Sequence, residues 1–155
     1  MRSIKYLILI TLFTYSCGFK VINLAEEQKF YISSIKTSGD KRIGFNLKNK
    51  LALKTKDPSK ININLFIDSD RNRTIKEKNS RNEITKYLIT ISSKIRIENN
   101  GKTIKNINLS EKKDYSVNSQ YAQTINNENQ AVKVISDLLI KKIIKEISEI
   151  NFNDL

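Results

Sequence analysis

The chain has 155 residues, with 28 Lys+Arg against 16 Asp+Glu, no His, no Trp, one Cys and one Pro. Without histidine there is no Ser-His or Cys-His dyad, no imidazole metal ligand and no side chain that ordinarily titrates near neutrality. A hydrophobic share of 39% excludes a disordered chain, the length fits one ordinary domain, and four Gly with one Pro favour long regular elements.

In chain order, the first informative segment is Met1 to Cys17. Arg2 and Lys5 give a cationic start, and residues 6–13 are nearly all apolar. Such a run is shorter than the about 20 residues a permanent transmembrane helix needs. It has the make-up of a cleavable export signal. With the small Ser16 before the only cysteine, the segment resembles a bacterial lipoprotein signal. That resemblance implies removal of residues 1–16 and acylation of Cys17, with palmitate among the chains added. A lone cysteine makes no internal disulfide, whereas two or more acyl chains hold a protein stably at a membrane. Gly18 stands where inner-membrane retention signals have Asp, so the resemblance implies the outer membrane. Residues 17–155 are expected to form a single α+β domain facing the periplasm, with no cofactor beyond the covalent lipid at Cys17.

Phe30 to Lys36 reads as a first strand, and Ser38-Gly39-Asp40 supplies turn and N-cap chemistry. Ile43, Leu47 and Leu51 recur every four residues as one face of a short helix, which Asp57-Pro58-Ser59 stops. Ile61, Ile63, Leu65 and Ile67 alternate with Asn62, Asn64 and Phe66, the pattern of a strand with one buried face. Asp68 to Arg81 is charge-mixed and is read as a solvated hairpin tip rather than a dedicated binding loop. In the third strand Tyr87, Ile89, Ile91, Ile95 and Ile97 share one face, while Thr90, Ser92, Lys94, Arg96 and Glu98 line the other. Asn99-Asn100-Gly101 signals a tight hairpin. The fourth strand runs from Lys102 to about Tyr115, with a parity shift between Ile104 and Ile107 that predicts a bulge. Val132, Ile135, Leu139, Ile143, Ile147 and Ile150 mark a long amphipathic helix from Asn126 to Glu149.

The resulting class is α+β: a mixed four-stranded sheet with two helices packed on one face, in β-α-β-β-β-α order. A helix between the first two strands implies a parallel crossover. The isoleucine side meets the helices, and the Asn/Ser/Lys/Arg side stays open.

No G-x-S-x-G, phosphate loop or His/Cys metal spacing is present. Asp68 and Asp70 are paired carboxylates without neighbours to hold a metal, and solvation in a turn explains them. An enzyme is not expected. Lys94 and Arg96 stand two apart on the open face, so their side chains point the same way, and Lys102, Lys105, Lys112 and Lys113 add charge along the fourth strand. Clustered cations attract polyanions. Few stacking aromatics and an export signal argue against nucleic acid. Phosphorylated glycolipids and other envelope polymers remain, beside the plainer reading of scattered solubilising lysines. Lys (22), Ile (25) and Asn (18) are abundant in the way an AT-rich genome produces, so the net charge of +12 does not by itself establish an anionic partner.

Tyr115 to Ala122, then Glu128, Gln130-Ala131 and the run Leu138 to Ile147, resemble the end of the lipopolysaccharide (LPS)-assembly lipoprotein family (LptE-like). Cys17-Gly18-Phe19 is similar to that family's mature start, Ile43 to Leu51 to its first helix, and Lys86-Tyr87-Leu88-Ile89 to the opening of its third strand. The resemblance implies an outer-membrane lipoprotein that plugs the LPS-translocating β-barrel, aids its assembly and helps bring LPS to the outer leaflet. It implies two partners, the barrel and LPS, with membrane contact through the anchor. On this reading Lys94 and Arg96 meet LPS phosphates, and Arg71, Arg73 and Arg81 meet the barrel or the glycolipid. The alternative is a free-standing envelope lipoprotein that binds another anionic or lipidic ligand.

Overall fold

The computed structural model describes residues 30–52 and 60–152. The export segment with Cys17 and the stop at Asp57-Pro58-Ser59 lie outside the described residues. Six elements follow one another: β1 (Phe30–Gly39), α1 (Lys41–Ala52), β2 (Ile61–Lys78), β3 (Ile84–Asn99), β4 (Lys102–Ser116) and α2 (Tyr121–Ser148). The sheet order is β1-β2-β3-β4, with β1 parallel to β2 and the other pairs antiparallel. This is the mixed four-stranded α+β arrangement in the expected order.

Alternation builds the core. Ile63, Leu65 and Ile67 of β2 and Ile89, Ile91, Ile95 and Ile97 of β3 are all buried, and they meet Ile43, Leu47 and Leu51 of α1 and Ile135, Leu139, Ile143 and Ile147 of α2. In β1 the apolar spacing slips from Ile32 to Ile35, and the ladder absorbs it in a register shift between Ile32 and Ser34. In β4 the expected bulge sits at Ile104, which has no partner between the Glu98–Thr103 and Ile97–Lys105 pairs.

The turns follow from their residues. Asp40 caps α1, its Oδ1 accepting from the backbone N–H of Arg42 at 2.9 Å and of Ile43 at 3.1 Å. Gly39 takes φ +80 immediately before it, where a Cβ would press on the Ser69 carbonyl. That same carbonyl accepts the Asp40 N–H at 2.7 Å. Asn100 and Gly101 both have positive φ, 49 and 79, as the two-residue turn between Asn99 and Lys102 requires.

The stretch from Asp68 departs from expectation. It is not a loop: β2 continues to Lys78, paired with β3 as far as Ile84, and the turn is confined to residues 79–83. The apolar alternation stops at Ile67 because the next inward positions are Ser69, Arg71 and Arg73. Their polar groups find partners within the fold, although the two arginines keep part of their side chains in solvent. Ser69 Oγ and Ser93 Oγ are 2.9 Å apart in the core, and both arginines are ion-paired. Likewise α2 starts at Tyr121, ahead of the expected Asn126, after an N-cap Gln120 that makes no side-chain capping bond.

Candidate functional site: the open sheet face

With both helices on one side, the other side of the sheet carries the polar halves of the strands. Register places these residues in rows. Lys36 stands opposite Phe66, Phe66 opposite Arg96 and Arg96 opposite Asn106. The next row is Ser38, Asp68, Lys94 and Asn108. The two rows line a shallow depression of about 490 Å³. Lys94 and Arg96, singled out from sequence, are therefore brought together, and Lys36 joins them from β1.

Phe66 organises this site. Its ring lies 4.4 Å from the Arg96 guanidinium carbon and 5.3 Å from Lys36 Nζ. Contact with an aromatic face holds each cation over an apolar platform. Arg96 is also oriented by Glu98, whose Oε1 is 2.9 Å from its Nε. That leaves the two terminal nitrogens of the fork to meet a ligand. Asp68 is turned toward Ser38, whose hydroxyl donates to it at 2.7 Å. Among the described residues Lys94 has no ion-pair partner.

Two charge pairs further along the sheet are matched within the protein, while Lys112, opposite Thr90 on the same face, has no ion-pair partner among the described residues. Lys76 lies 2.9 Å from Asp114, and Lys86 lies 2.7 Å from Glu77. Hydrogen bonding from these lysines holds the Asp114 and Glu77 carboxyls below the usual carboxylate range. Lys105 belongs to the helix side, where it bonds Glu146 at 2.9 Å. The depression is where three cations, Lys36, Lys94 and Arg96, stand together for an outside anion, beside Asn106 and Asn108 as neutral hydrogen-bonding groups. A phosphate carried on a sugar or acyl scaffold suits it: charge-assisted bonds for the phosphate and a phenyl face for the scaffold.

The remaining candidates lie elsewhere. Arg71 and Arg73 are on the helix side. Arg71 bonds Glu128 at 3.2 Å and lies 3.3 Å from Asp40, while Arg73 is 3.5 Å from Glu128 and stacks 4.7 Å over Tyr87. Tyr115 donates its hydroxyl to Glu128 at 3.0 Å. Burial pushes the Tyr115 hydroxyl above its usual range, and hydrogen bonding with Tyr115 pushes the Arg73 guanidinium up. This cluster ties β2, β3 and β4 to α2 and to the cap of α1. Arg81 lies in the hairpin turn, 3.4 Å from Glu83. Asp68 and Asp70 are exposed strand residues, not turn residues. Among the described residues no acidic, Cys or His cluster could hold a metal ion.

Lys36 and Phe66 escaped the sequence reading. Both belong to a parallel pairing whose register no hairpin announces, so nothing local links β1 to β3.

No protein-family model matches the chain, and no curated protein matches it in sequence. Solved structures do match in shape. A candidate lipoprotein from Caulobacter crescentus aligns over 74% of this chain and 87% of its own, with a TM-score of 0.54 and 15% identity. A minor lipoprotein from Acinetobacter baumannii aligns over 74% and 90%, with a TM-score of 0.53 and 17% identity. At these identities the shared property is the fold.

Proposed function

We propose that this protein is a lipoprotein of the bacterial envelope, anchored through Cys17 in the outer membrane, that binds phosphorylated glycolipid on its open sheet face without catalysing a reaction. The observation that carries the reading is that Lys36 and Arg96 lie against Phe66, with Lys94 beside them in one depression. The fold it shares with the two lipoproteins above supports the class. Within that class the residues of the C-terminal half favour the LPS-assembly role. The domain would sit in the lumen of the LPS-translocating β-barrel as plug and assembly partner, since barrel interiors are polar and an open polar sheet face can line one.

Purification of the tagged full-length chain from native membranes in mild detergent, with mass spectrometry, tests this. The reading expects a large β-barrel in equal amount with the acylated chain. Recovery of the acylated chain alone would replace the plug by a free-standing glycolipid carrier.

A further inference from the structure

The helix layer has an outer side that the glycolipid reading does not use. Phe45 of α1 is 64% exposed, and Val134 and Leu138 of α2 are each 40% exposed. Helical periodicity puts Phe45 opposite the buried Ile43, Leu47 and Leu51, at the crest of α1, and Val134 at the crest of α2. The two helices run side by side, joined by Lys50 to Asp137 and by Arg42 to Asn129, so these crests are neighbours.

Lysines surround the crests. α1 contains four cations and no acid; Arg42 and Lys50 are spent on α2, while Lys41 and Lys48 stay exposed one turn on either side of Phe45. Lys141 is exposed on the same side of α2. Large apolar side chains set among lysines are the mark of a surface that lies on a bilayer, where rings enter the headgroup boundary and ammonium groups meet anionic lipid. A protein partner fits less well, because lysine is depleted at protein interfaces. No helix among the described residues is long and apolar enough to cross a membrane, so contact is with the surface.

We propose that the outer side of the helix layer, centred on Phe45, docks on an anionic membrane surface. This goes beyond the glycolipid reading, since it concerns the opposite side of the domain and holds whether or not the sheet face binds phosphate. Before it is seated in a barrel, this gives the domain a resting orientation: helices on the bilayer, sheet face turned away and free to take a ligand.

The chain has no tryptophan, so Phe45→Trp places one reporter in the full-length protein. Reconstituted with vesicles of phosphatidylcholine and phosphatidylglycerol, its emission is expected to move to the blue and to be quenched by bromine-labelled acyl chains. In phosphatidylcholine alone both effects are expected to be absent. Adding Lys41→Glu and Lys48→Glu should lower partitioning by about fivefold or more at each site. Phe66→Trp, on the sheet face, should be quenched less than Phe45→Trp in the mixed vesicles. Equal emission of Phe45→Trp in the two vesicles would overturn the proposal, as would quenching of Phe66→Trp in its place. Protection of Phe45→Trp only when a β-barrel copurifies would make this side a protein interface and overturn it too.

Discussion

Replacing Lys94 by alanine is expected to weaken binding of a phosphorylated glycolipid about fivefold. An exposed cation near an anionic headgroup contributes about 1 kcal/mol, which is that factor in affinity, and Lys94 has no ion-pair partner among the described residues to share its charge. Arg96 begins partly engaged with Glu98 at 2.9 Å, so Arg96→Ala should lose no more than Lys94→Ala, and Glu98→Gln should tighten binding by freeing the guanidinium. The two cations are about 7 Å apart along one strand, near enough to meet one phosphate, so the double variant should fall short of the product of the singles. Both side chains are exposed, and the urea midpoint should stay where it is. The assay is titration of the purified full-length chain with a phosphorylated glycolipid and its dephosphorylated counterpart in the same detergent. Equal affinity for the two glycolipids, or full affinity in the double variant, would refute phosphate recognition at this face.

Further expectations concern the scaffold. Gly39→Ala forces a side chain into φ +80 against the Ser69 carbonyl and should cost about 3 kcal/mol. Gly101→Ala, at φ +79 in open space, should cost only about 1 kcal/mol; urea unfolding of the two distinguishes close approach from backbone strain. Glu128→Ala leaves Arg71, Arg73 and Tyr115 without their common acceptor. The cost of breaking a buried pair, reduced because the Arg71 and Arg73 side chains are 31% and 52% exposed, comes to about 2 kcal/mol in the same assay. For pH dependence, the Lys105 ammonium holds the Glu146 carboxyl below its usual range by a hydrogen bond and by charge. A depressed carboxyl stabilises the fold above its unfolded value, and that contribution is lost as pH falls through the folded value. Stability should therefore decline on the acid side of the carboxylate range, and Lys105→Ala should flatten that limb in urea midpoints measured against pH. With no histidine in the chain, no histidine step is expected near neutrality.

Sequence carried the frame wherever the core is apolar. Ile63 to Ile67, Ile89 to Ile97 and Val132 to Ile147 show their periods, and Asn100-Gly101 fixes its hairpin by turn chemistry alone. Legibility failed where burial is polar. Past Ile67 the inward positions of β2 are Ser69, Arg71 and Arg73, and their partners, Ser93, Glu128 and Asp40, are remote in sequence. A polar stretch satisfied by distant partners has the same composition as a solvated loop. The open face was half legible for a related reason. Lys94 and Arg96 share a face by the two-residue period of one strand, whereas Lys36 and Phe66 reach them only through the parallel register of β1 on β2.

The central claim is that the open sheet face holds phosphorylated glycolipid in the envelope. A photoreactive amino acid in place of Asn108, which lines the depression, tests it in living cells. Illumination should attach phosphorylated glycolipid at that position, and Lys94→Ala with Arg96→Ala should sharply reduce the adduct. Attachment that persists undiminished in that double variant, or glycolipid captured from Phe45 but not from Asn108, would contradict the account.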